Sequence, residues 1–186
     1  MHVNVEDNFY SHPDQIRELA LSYNDYRHSE DPSVEARWKG WRTAAPQAMN
    51  EGIFDVMKRS FDIDEKDYVC TPYFHIAYED TKEYFDFPNA KWHVDASDYA
   101  GLVYLNENPP KKSGTCLING ADNEIVTVDN VFNRVLVYPS YYYHAPEDLF
   151  GDSGDKESGR LTLTFFLWHD SNPSKHQPMH WMRNDV

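Results

Sequence analysis

The segment Arg160-Leu161-Thr162-Leu163-Thr164-Phe165-Phe166-Leu167 alternates polar and apolar side chains over most of its length. On an extended strand, successive side chains point to opposite faces of the sheet. Thr162 therefore shares a face with Arg160, whereas Leu161 and Leu163 point the other way. The segment predicts a β-strand with one apolar and one polar face, and its polar face begins with a guanidinium.

Seven further segments have the short periodicity of β-strands. They are residues 68–70, 73–78, 92–95, 99–105, 115–118, 125–128 and 134–138. Turn sequences separate several of these segments. One such turn is Asn119-Gly120, which is typical of a β-hairpin. Many short strands with frequent turns are typical of a sandwich or barrel, and we predict a double-stranded β-helix, or jelly roll.

Helical periodicity is confined to the N-terminal third of the chain. Residues Ile16, Leu19 and Ala20 recur at helical spacing, and a second helix is predicted to begin at Pro46. Residues 24–45 between the helices are predicted to be irregular. We therefore expect a mainly β, single-domain protein over 1–186, with helical support over 1–67, the jelly-roll core over 68–168 and a C-terminal tail over 169–186.

The amino-acid composition limits the classes of partner that the protein is expected to bind. The chain has 17 basic and 31 acidic residues, a formal net charge of −14, which argues against a nucleic-acid partner. No apolar run approaches the length of a membrane span, and no signal-peptide pattern opens the chain. Two cysteines, Cys70 and Cys116, do not make a disulfide framework and are predicted to be buried thiols. We expect a cytoplasmic protein.

The stretch Trp92-His93-Val94-Asp95 brings an imidazole and a carboxylate together, because residues two apart on a strand share a face. With His144 further along the chain, they would complete a 2-His-1-carboxylate set, which suits non-haem Fe(II). The alternative is a solvated His-Asp pair and an unrelated histidine. Another histidine pair, His176 and His180, is separated by Pro178, which would disrupt a helix.

Arg160 and Thr162 together present a guanidinium and a hydroxyl on one strand face. A guanidinium pairs bidentately with a carboxylate, so the pair suits the far end of a dicarboxylate. The alternative is a surface arginine at the start of a strand. Arg134 also begins a strand and is a second candidate for binding an anion, although a structural salt bridge is the favoured interpretation.

These motifs resemble those of the Fe(II)/2-oxoglutarate-dependent oxygenases, on the side of that superfamily near the prolyl-hydroxylase-like enzymes. The resemblance covers roughly residues 68–168. It is carried by the motif at His93 and Asp95, by Gly101-Leu102-Val103-Tyr104-Leu105-Asn106, by the strand before His144 and by the strand that begins at Arg160.

The resemblance implies the roles of these residues. His93, Asp95 and His144 would be iron ligands. Arg160 would pair with the 5-carboxylate of 2-oxoglutarate, and Thr162 would contact the same carboxylate. The spacing from His144 to Arg160 is longer than is common in the family, because the acidic, glycine-rich loop 151–159 intervenes.

A tyrosine of an earlier strand commonly contacts 2-oxoglutarate in this family. Tyr73, Tyr78 and Tyr104 are the candidates, and the sequence does not rank them.

The resemblance also implies a reaction. 2-Oxoglutarate and O₂ would bind Fe(II), and the enzyme would hydroxylate a peptidyl substrate, with proline as one candidate residue, or a small molecule, releasing succinate and CO₂. The alternative is a non-catalytic jelly-roll module with a vestigial or structural metal site.

Loop 151–159 combines glycine with acidic residues, which predicts a solvated, mobile flap. We expect limited proteolysis to cut the native protein first within this loop, and mass spectrometry of the fragments identifies the site. Cleavage there no faster than in the core strands would show that the loop is packed.

Overall fold

The computed structural model describes residues 1–28, 40–84, 92–118 and 124–171. Within them lie two α-helices and ten β-strands. The helices and strands are, in chain order, β1 Asn4–Glu6, α1 Pro13–Ser22, β2 Arg27–His28, β3 Trp41–Ala44, α2 Asn50–Phe61, β4 Tyr68–Ala77, β5 Tyr99–Tyr104, β6 Thr115–Ile118, β7 Ile125–Val128, β8 Val135–Pro139, β9 Tyr143–Pro146 and β10 Arg160–His169.

The strands form two antiparallel sheets. The larger has the order β1-β8-β5-β10-β4-β3-β2, and the smaller has the order β7-β6-β9. An isolated bridge between His93 and His144 adds one residue to the free edge of β9. The predicted jelly roll is confirmed.

Strand β10 is the central strand of the large sheet, because it pairs along its whole length with β4 and over six residues with β5. Its apolar face carries Leu161, Leu163, Phe165 and Leu167, all buried. These side chains pack with both helices into one core, which includes Ile16 and Ala20 of α1 and Ile53 and Met57 of α2. Burying each large apolar side chain stabilises the fold by about 1.5–3 kcal/mol.

Local sequence explains where α1 begins and where α2 ends. Pro13 stands at the start of α1, where its missing N–H costs nothing, and Asp14 suits the positive end of the helix dipole. Helix α2 ends at Asp62, which has a φ of 55° and donates its N–H to the carbonyl of Lys58. The helix expected from Pro46 begins as a 3-10 turn at Gln47 and becomes α-helical at Asn50.

Three of the expected local assignments are wrong, and one strand was not predicted. Residues 92–95 do not form a strand, and only His93 is bridged. Residues 24–45 are not wholly irregular, since β2 and β3 lie there. The segments 68–70 and 73–78 form one continuous strand, β4, despite Pro72. Strand β9, Tyr143–Pro146, was not predicted from the sequence, and it pairs with β6.

The hairpin at Asn119-Gly120, the histidines at 176 and 180 and most of the predicted C-terminal tail lie outside the described residues. Loop 151–159 forms two turns in which Asp152 and Asp155 accept backbone N–H groups. Most of its side chains are exposed, and Lys156 donates to the carbonyl of Tyr23. Mobility of this loop stays a prediction.

Gly101 of β5 lies beneath the ring of Phe165, its partner on β10. A Cβ at this position would lie 2.6 Å from the carbonyl oxygen of Leu136 on the neighbouring strand, and closer still to the Phe165 ring. The strand spacing therefore leaves no room for a side chain here.

We expect Gly101→Ala to lower the free energy of unfolding by about 1–3 kcal/mol, the usual cost of overpacking a core. Urea unfolding followed by circular dichroism measures the change. Gly154→Ala is the matched control, because Gly154 lies in the exposed loop and its Cβ would meet only the Asp152 carboxylate at 3.3 Å. Equal stability of the two variants would contradict the packing at Gly101.

Candidate metal and co-substrate site

The two histidines of the predicted triad are joined through their backbones. The N–H of His93 donates to the carbonyl of His144 at 3.1 Å, and the N–H of His144 donates to the carbonyl of His93 at 2.9 Å. Residues directly opposite each other in an antiparallel pair have their side chains on the same face. The two imidazole centroids consequently lie 4.2 Å apart.

Asp95 is placed by a separate backbone contact, in which its N–H donates to the carbonyl of Ser140 at 3.1 Å. Its carboxylate then lies 3.2 Å from Nε2 of His144 and 3.9 Å from Nε2 of His93. Ligand atoms of all three residues fall within 4.8 Å of one another. The structure therefore brings together the three residues predicted from the sequence, although not through a strand at 92–95.

The hydrogen-bond partner of Nδ1 shows which ring nitrogen of His144 would be the metal ligand. Nδ1 lies 3.1 Å from the carbonyl oxygen of Tyr142, and a carbonyl only accepts, so Nδ1 carries the proton. Nε2 is the nitrogen that faces Asp95, at 3.2 Å, and it is the atom that would bind a metal in place of a proton. A metal-bound histidine usually donates its other ring N–H in this way.

The donor set fits a divalent metal such as Fe(II). Two neutral imidazoles and one carboxylate on one side of an ion leave coordination positions open. Adjacent ligands at about 2.1 Å from an ion are about 3 Å apart, close to the spacing of Asp95 and His144. His144 is buried, whereas the side chain of His93 is 47% exposed, so the group opens to one side.

Opposing effects act on the Asp95 carboxyl. Burial raises its pKa, but the hydrogen bond from His144 and the positive charges of His144, His93 and Arg42 outweigh burial, so the pKa lies below its ordinary value. The carboxylate is ionised at neutral pH, as a metal ligand must be.

The polar face of β10 points into the space between the sheets. Arg160 is buried there, where its Nε donates to the carbonyl of Ser113 at 3.0 Å and its Nη2 donates to Thr115 Oγ1 at 3.0 Å. Its guanidinium carbon lies 5.5 Å from the centroid of the Tyr104 ring. The alternative interpretation of Arg160 as a surface residue is wrong.

Thr162 is also buried, and its hydroxyl lies 3.1 Å from that of Thr164. Among the three candidate tyrosines, Tyr104 lies beside Arg160, and its hydroxyl donates to Thr115 Oγ1 at 2.7 Å. Tyr78 packs on the other face of the sheet, with the helix core.

Arg134 forms a bidentate salt bridge with Asp7, at 2.6 and 3.0 Å, so its structural interpretation is confirmed.

Two residues of the interior were not found from the sequence. Tyr138 of β8 is buried with its ring 5.0 Å from that of His144, and burial together with the Asp95 charge holds its pKa well above the ordinary value. Arg42 of β3 is buried against Tyr73 and Phe166. Burial lowers its pKa to about 10, so it remains charged at neutral pH. The segment Trp41-Arg42-Thr43-Ala44 shows no alternation of polar and apolar residues, so the sequence carried no periodic signal for Arg42.

A surface cavity of about 500 Å³ reaches Asp95. Four aromatic side chains line it, together with Ser97, Asp98 and three further residues. The aromatic residues are Phe61, Tyr68, Tyr99 and Tyr141. One member of the predicted triad is thus in contact with a cavity large enough for a substrate side chain or a small molecule.

Solved structures that share this fold include two prolyl hydroxylases and a protein described as a member of the 2OG-Fe(II) oxygenase family. A prolyl hydroxylase from Trichoplax adhaerens, in complex with a peptide fragment of the hypoxia-inducible factor oxygen degradation domain, superposes with a TM-score of 0.63 at 12% identity, covering 95% of this chain and 88% of that one. This chain has the fold of a 2-oxoglutarate oxygenase.

Two further structures support the same fold. HygX from Streptomyces hygroscopicus, with nickel, 2-oxoglutarate and hygromycin B bound, has a TM-score of 0.60 at 12% identity, covering 91% of this chain and 83% of that one. A prolyl-4-hydroxylase from Pseudomonas putida has a TM-score of 0.55 at 13% identity, covering 90% and 92%. No family model and no curated protein sequence matches the chain.

We expect His93→Ala, Asp95→Ala and His144→Ala each to weaken Fe(II) binding by more than about 10–100-fold, the cost of losing even an indirect support of a metal ligand. Anaerobic calorimetric titration measures the affinity. His169→Ala is the control, because His169 is exposed and bonded to Ser171. Wild-type affinity in the His144 variant would remove that residue from the site.

Proposed function

We propose that the protein is an Fe(II)- and 2-oxoglutarate-dependent dioxygenase that hydroxylates a peptidyl substrate, with proline as one candidate residue, or a small molecule. The observation that carries the proposal is the paired arrangement of His93 and His144 beside Asp95. The contact of Nδ1 of His144 with the Tyr142 carbonyl turns Nε2 towards Asp95, where it would bind the metal.

In this proposal, Fe(II) and 2-oxoglutarate would supply the activation of O₂ when bound: one oxygen atom would end in succinate, with loss of CO₂, and the other would be inserted into a C–H bond of the substrate. The protein residues position these groups. His93, Asp95 and His144 hold the metal from one side, and their backbone contacts set the positions of all three residues before the metal binds.

Arg160 is the proposed receptor for the 5-carboxylate of 2-oxoglutarate. Its contacts with Ser113 and Thr115 fix the plane of the guanidinium, and the Tyr104 ring packs beside it. A planar, pre-oriented fork loses little entropy when it pairs with a carboxylate. Tyr104 and Thr162 are proposed as further contacts of the co-substrate, because both lie on the same interior face as Arg160.

The substrate is proposed to be a peptide or a small molecule rather than a nucleic acid. The net charge of −14 disfavours a phosphate backbone. The neighbouring structures hold a peptide in one case and hygromycin B in another, so the fold accommodates both classes. The aromatic cavity at Asp95 is the proposed approach to the metal.

A cytoplasmic location is also proposed. Both cysteines are buried free thiols, as predicted from the sequence, which suits a reducing compartment. Among the described residues, no helix has the length and apolar character needed to cross a membrane.

The function is tested by adding Fe(II), 2-oxoglutarate and O₂ to the purified protein and measuring succinate, with and without a substrate library of peptides and small molecules. Succinate formation that requires all three components supports a dioxygenase. A protein that binds metal but forms no succinate beyond a His144→Ala control, with any substrate, would support the alternative of a non-catalytic module.

We expect Arg160→Gln to raise the Kd for 2-oxoglutarate by roughly tenfold or more while leaving Fe(II) affinity within about twofold, since a charged hydrogen bond is worth about 1.5–3 kcal/mol. Anaerobic titration of the metal-loaded protein measures both constants. Arg134→Gln is the matched control, because Arg134 pairs with Asp7 at the surface. An unchanged Kd for 2-oxoglutarate would assign the carboxylate to another cation.

A further inference from the structure

Strand β10 is paired unequally at its beginning. On the β4 side the pairing includes Arg160, whereas on the β5 side it starts at Thr162, opposite Tyr104. One further backbone bond, from the N–H of Leu105 to the carbonyl of Leu161 at 3.1 Å, continues the ladder past the end of β5. The strand pairing on the β5 side thus stops just short of Arg160.

The side chain of Asn106 takes over where this pairing stops. Its Oδ1 accepts the N–H of Leu161 at 2.9 Å, and its Nδ2 donates to the carbonyl of Gly159 at 2.7 Å. Only 6% of Asn106 is exposed, so water does not compete for these bonds. One buried amide therefore joins the two residues that flank Arg160 in the chain.

The guanidinium of Arg160 is held by the other end of the same connection, the segment 105–114 between β5 and β6. Its Nε donates to the carbonyl of Ser113 at 3.0 Å, and its Nη2 donates to Oγ1 of Thr115 at 3.0 Å. Asn106 fixes the backbone on both sides of Arg160, and the residues around Ser113 fix its head group. The two ends of one connection thus hold the two ends of one side chain.

The position of the guanidinium is sensitive to the backbone below it. The head group of an arginine lies several bonds from its Cα, so a small rotation of the backbone at Arg160 moves the fork by a larger distance. Bidentate pairing with a carboxylate requires both N–H groups to be in place. The exposed loop 151–159 ends directly before Arg160, and the bond from Asn106 to Gly159 anchors that end.

We propose that Asn106 is a positioning residue for 2-oxoglutarate, which sets the backbone of Arg160 so that its guanidinium meets the 5-carboxylate. This inference rests on the proposed function and adds a residue to it. Both polar groups of the Asn106 amide are engaged by the backbone of residues 159 and 161. Asn106 therefore acts through Arg160, and only on a ligand that carries the distal carboxylate.

The test compares two ligands on the full chain loaded with Fe(II) and kept anaerobic. They are 2-oxoglutarate and 2-oxobutyrate, which is the same 2-oxo acid without the 5-carboxylate. We expect Asn106→Ala to raise the Kd of 2-oxoglutarate about three- to tenfold and to leave the Kd values of 2-oxobutyrate and Fe(II) within about 1.5-fold. An equal rise for both 2-oxo acids, or no rise for 2-oxoglutarate, overturns the inference.

A second variant covers a failure of the alanine variant to fold. The hydroxyl of Asn106→Ser retains one donor and one acceptor but is too short to join both backbone groups. Its Kd for 2-oxoglutarate is expected to lie between those of wild type and the alanine variant, again with 2-oxobutyrate unaffected. Wild-type affinity for 2-oxoglutarate in a folded serine variant would contradict the proposed role.

Asn133 supplies the matched control, because its buried amide makes the same pair of bonds elsewhere. Its Oδ1 accepts the N–H of Tyr10 at 2.8 Å, and its Nδ2 donates to the carbonyl of Tyr10 at 2.8 Å. Asn133 has a φ of 61°, so Asn133→Gly removes the amide without backbone strain. Both variants should lower the Tm by about 2–4 °C or more, but only Asn106→Ala should weaken 2-oxoglutarate binding. An equal loss of affinity in Asn133→Gly would assign the effect to general destabilisation and overturn the inference.

A double variant shows whether Asn106 acts through Arg160. In the Arg160→Gln background, Asn106→Ala is expected to change the Kd of 2-oxoglutarate no further, and an undiminished additional rise overturns the inference. If Arg160→Gln raises this Kd but the Asn106 variants do not, this inference alone fails. If Arg160→Gln has no effect, the proposed role of Arg160 fails with it, and a wild-type protein that binds neither Fe(II) nor 2-oxoglutarate overturns the proposed function itself.

Discussion

The pairing of β10 on both of its edges is the constraint on which the rest of the molecule depends. Because β4 and β5 hold it in the middle of the sheet, the alternation of its side chains assigns each residue to one of two environments. Leu161, Leu163 and Phe165 enter the core shared with the helices. Arg160 and Thr162 enter the space between the sheets. A shift of one residue in register would exchange the two sets.

The polar interior would be costly without the apolar core on the other face. A buried guanidinium must be compensated by hydrogen bonds, aromatic contacts or an anion. Arg160 obtains carbonyl and hydroxyl partners from the segment Ser113 to Thr115, and Arg42 obtains the rings of Tyr73 and Phe166. Such an interior is typical of a site that receives charged ligands, and it explains why the same sheet serves both stability and the proposed chemistry.

The candidate metal site depends on backbone contacts more than on secondary structure. A single pair of hydrogen bonds between His93 and His144 places two imidazoles on one face, and one further bond from Asp95 to Ser140 brings in the carboxylate. The site needs no regular strand at 92–95. The paired hydrogen bonds between His93 and His144 and the single bond from Asp95 to Ser140 are sufficient to orient the three side chains. The contact between Nδ1 of His144 and the carbonyl of Tyr142 then leaves Nε2 as the nitrogen that faces Asp95.

The sequence alone was sufficient to predict the β character of the chain, the polar and apolar faces of β10 and the three residues that meet at the candidate metal site. The β character and the two faces of β10 follow from a period of two along a strand, and the three site residues follow from the ligand chemistry of His and Asp and from the resemblance of their motifs to a known family. Only the tertiary structure decided that Arg42 and Tyr138 share the interior with them, that Tyr104 rather than Tyr78 lies beside Arg160, and that β4 continues through Pro72. Neighbours across strands are set by register and sheet order, which depend on residues far apart in the chain, and no local pattern records them.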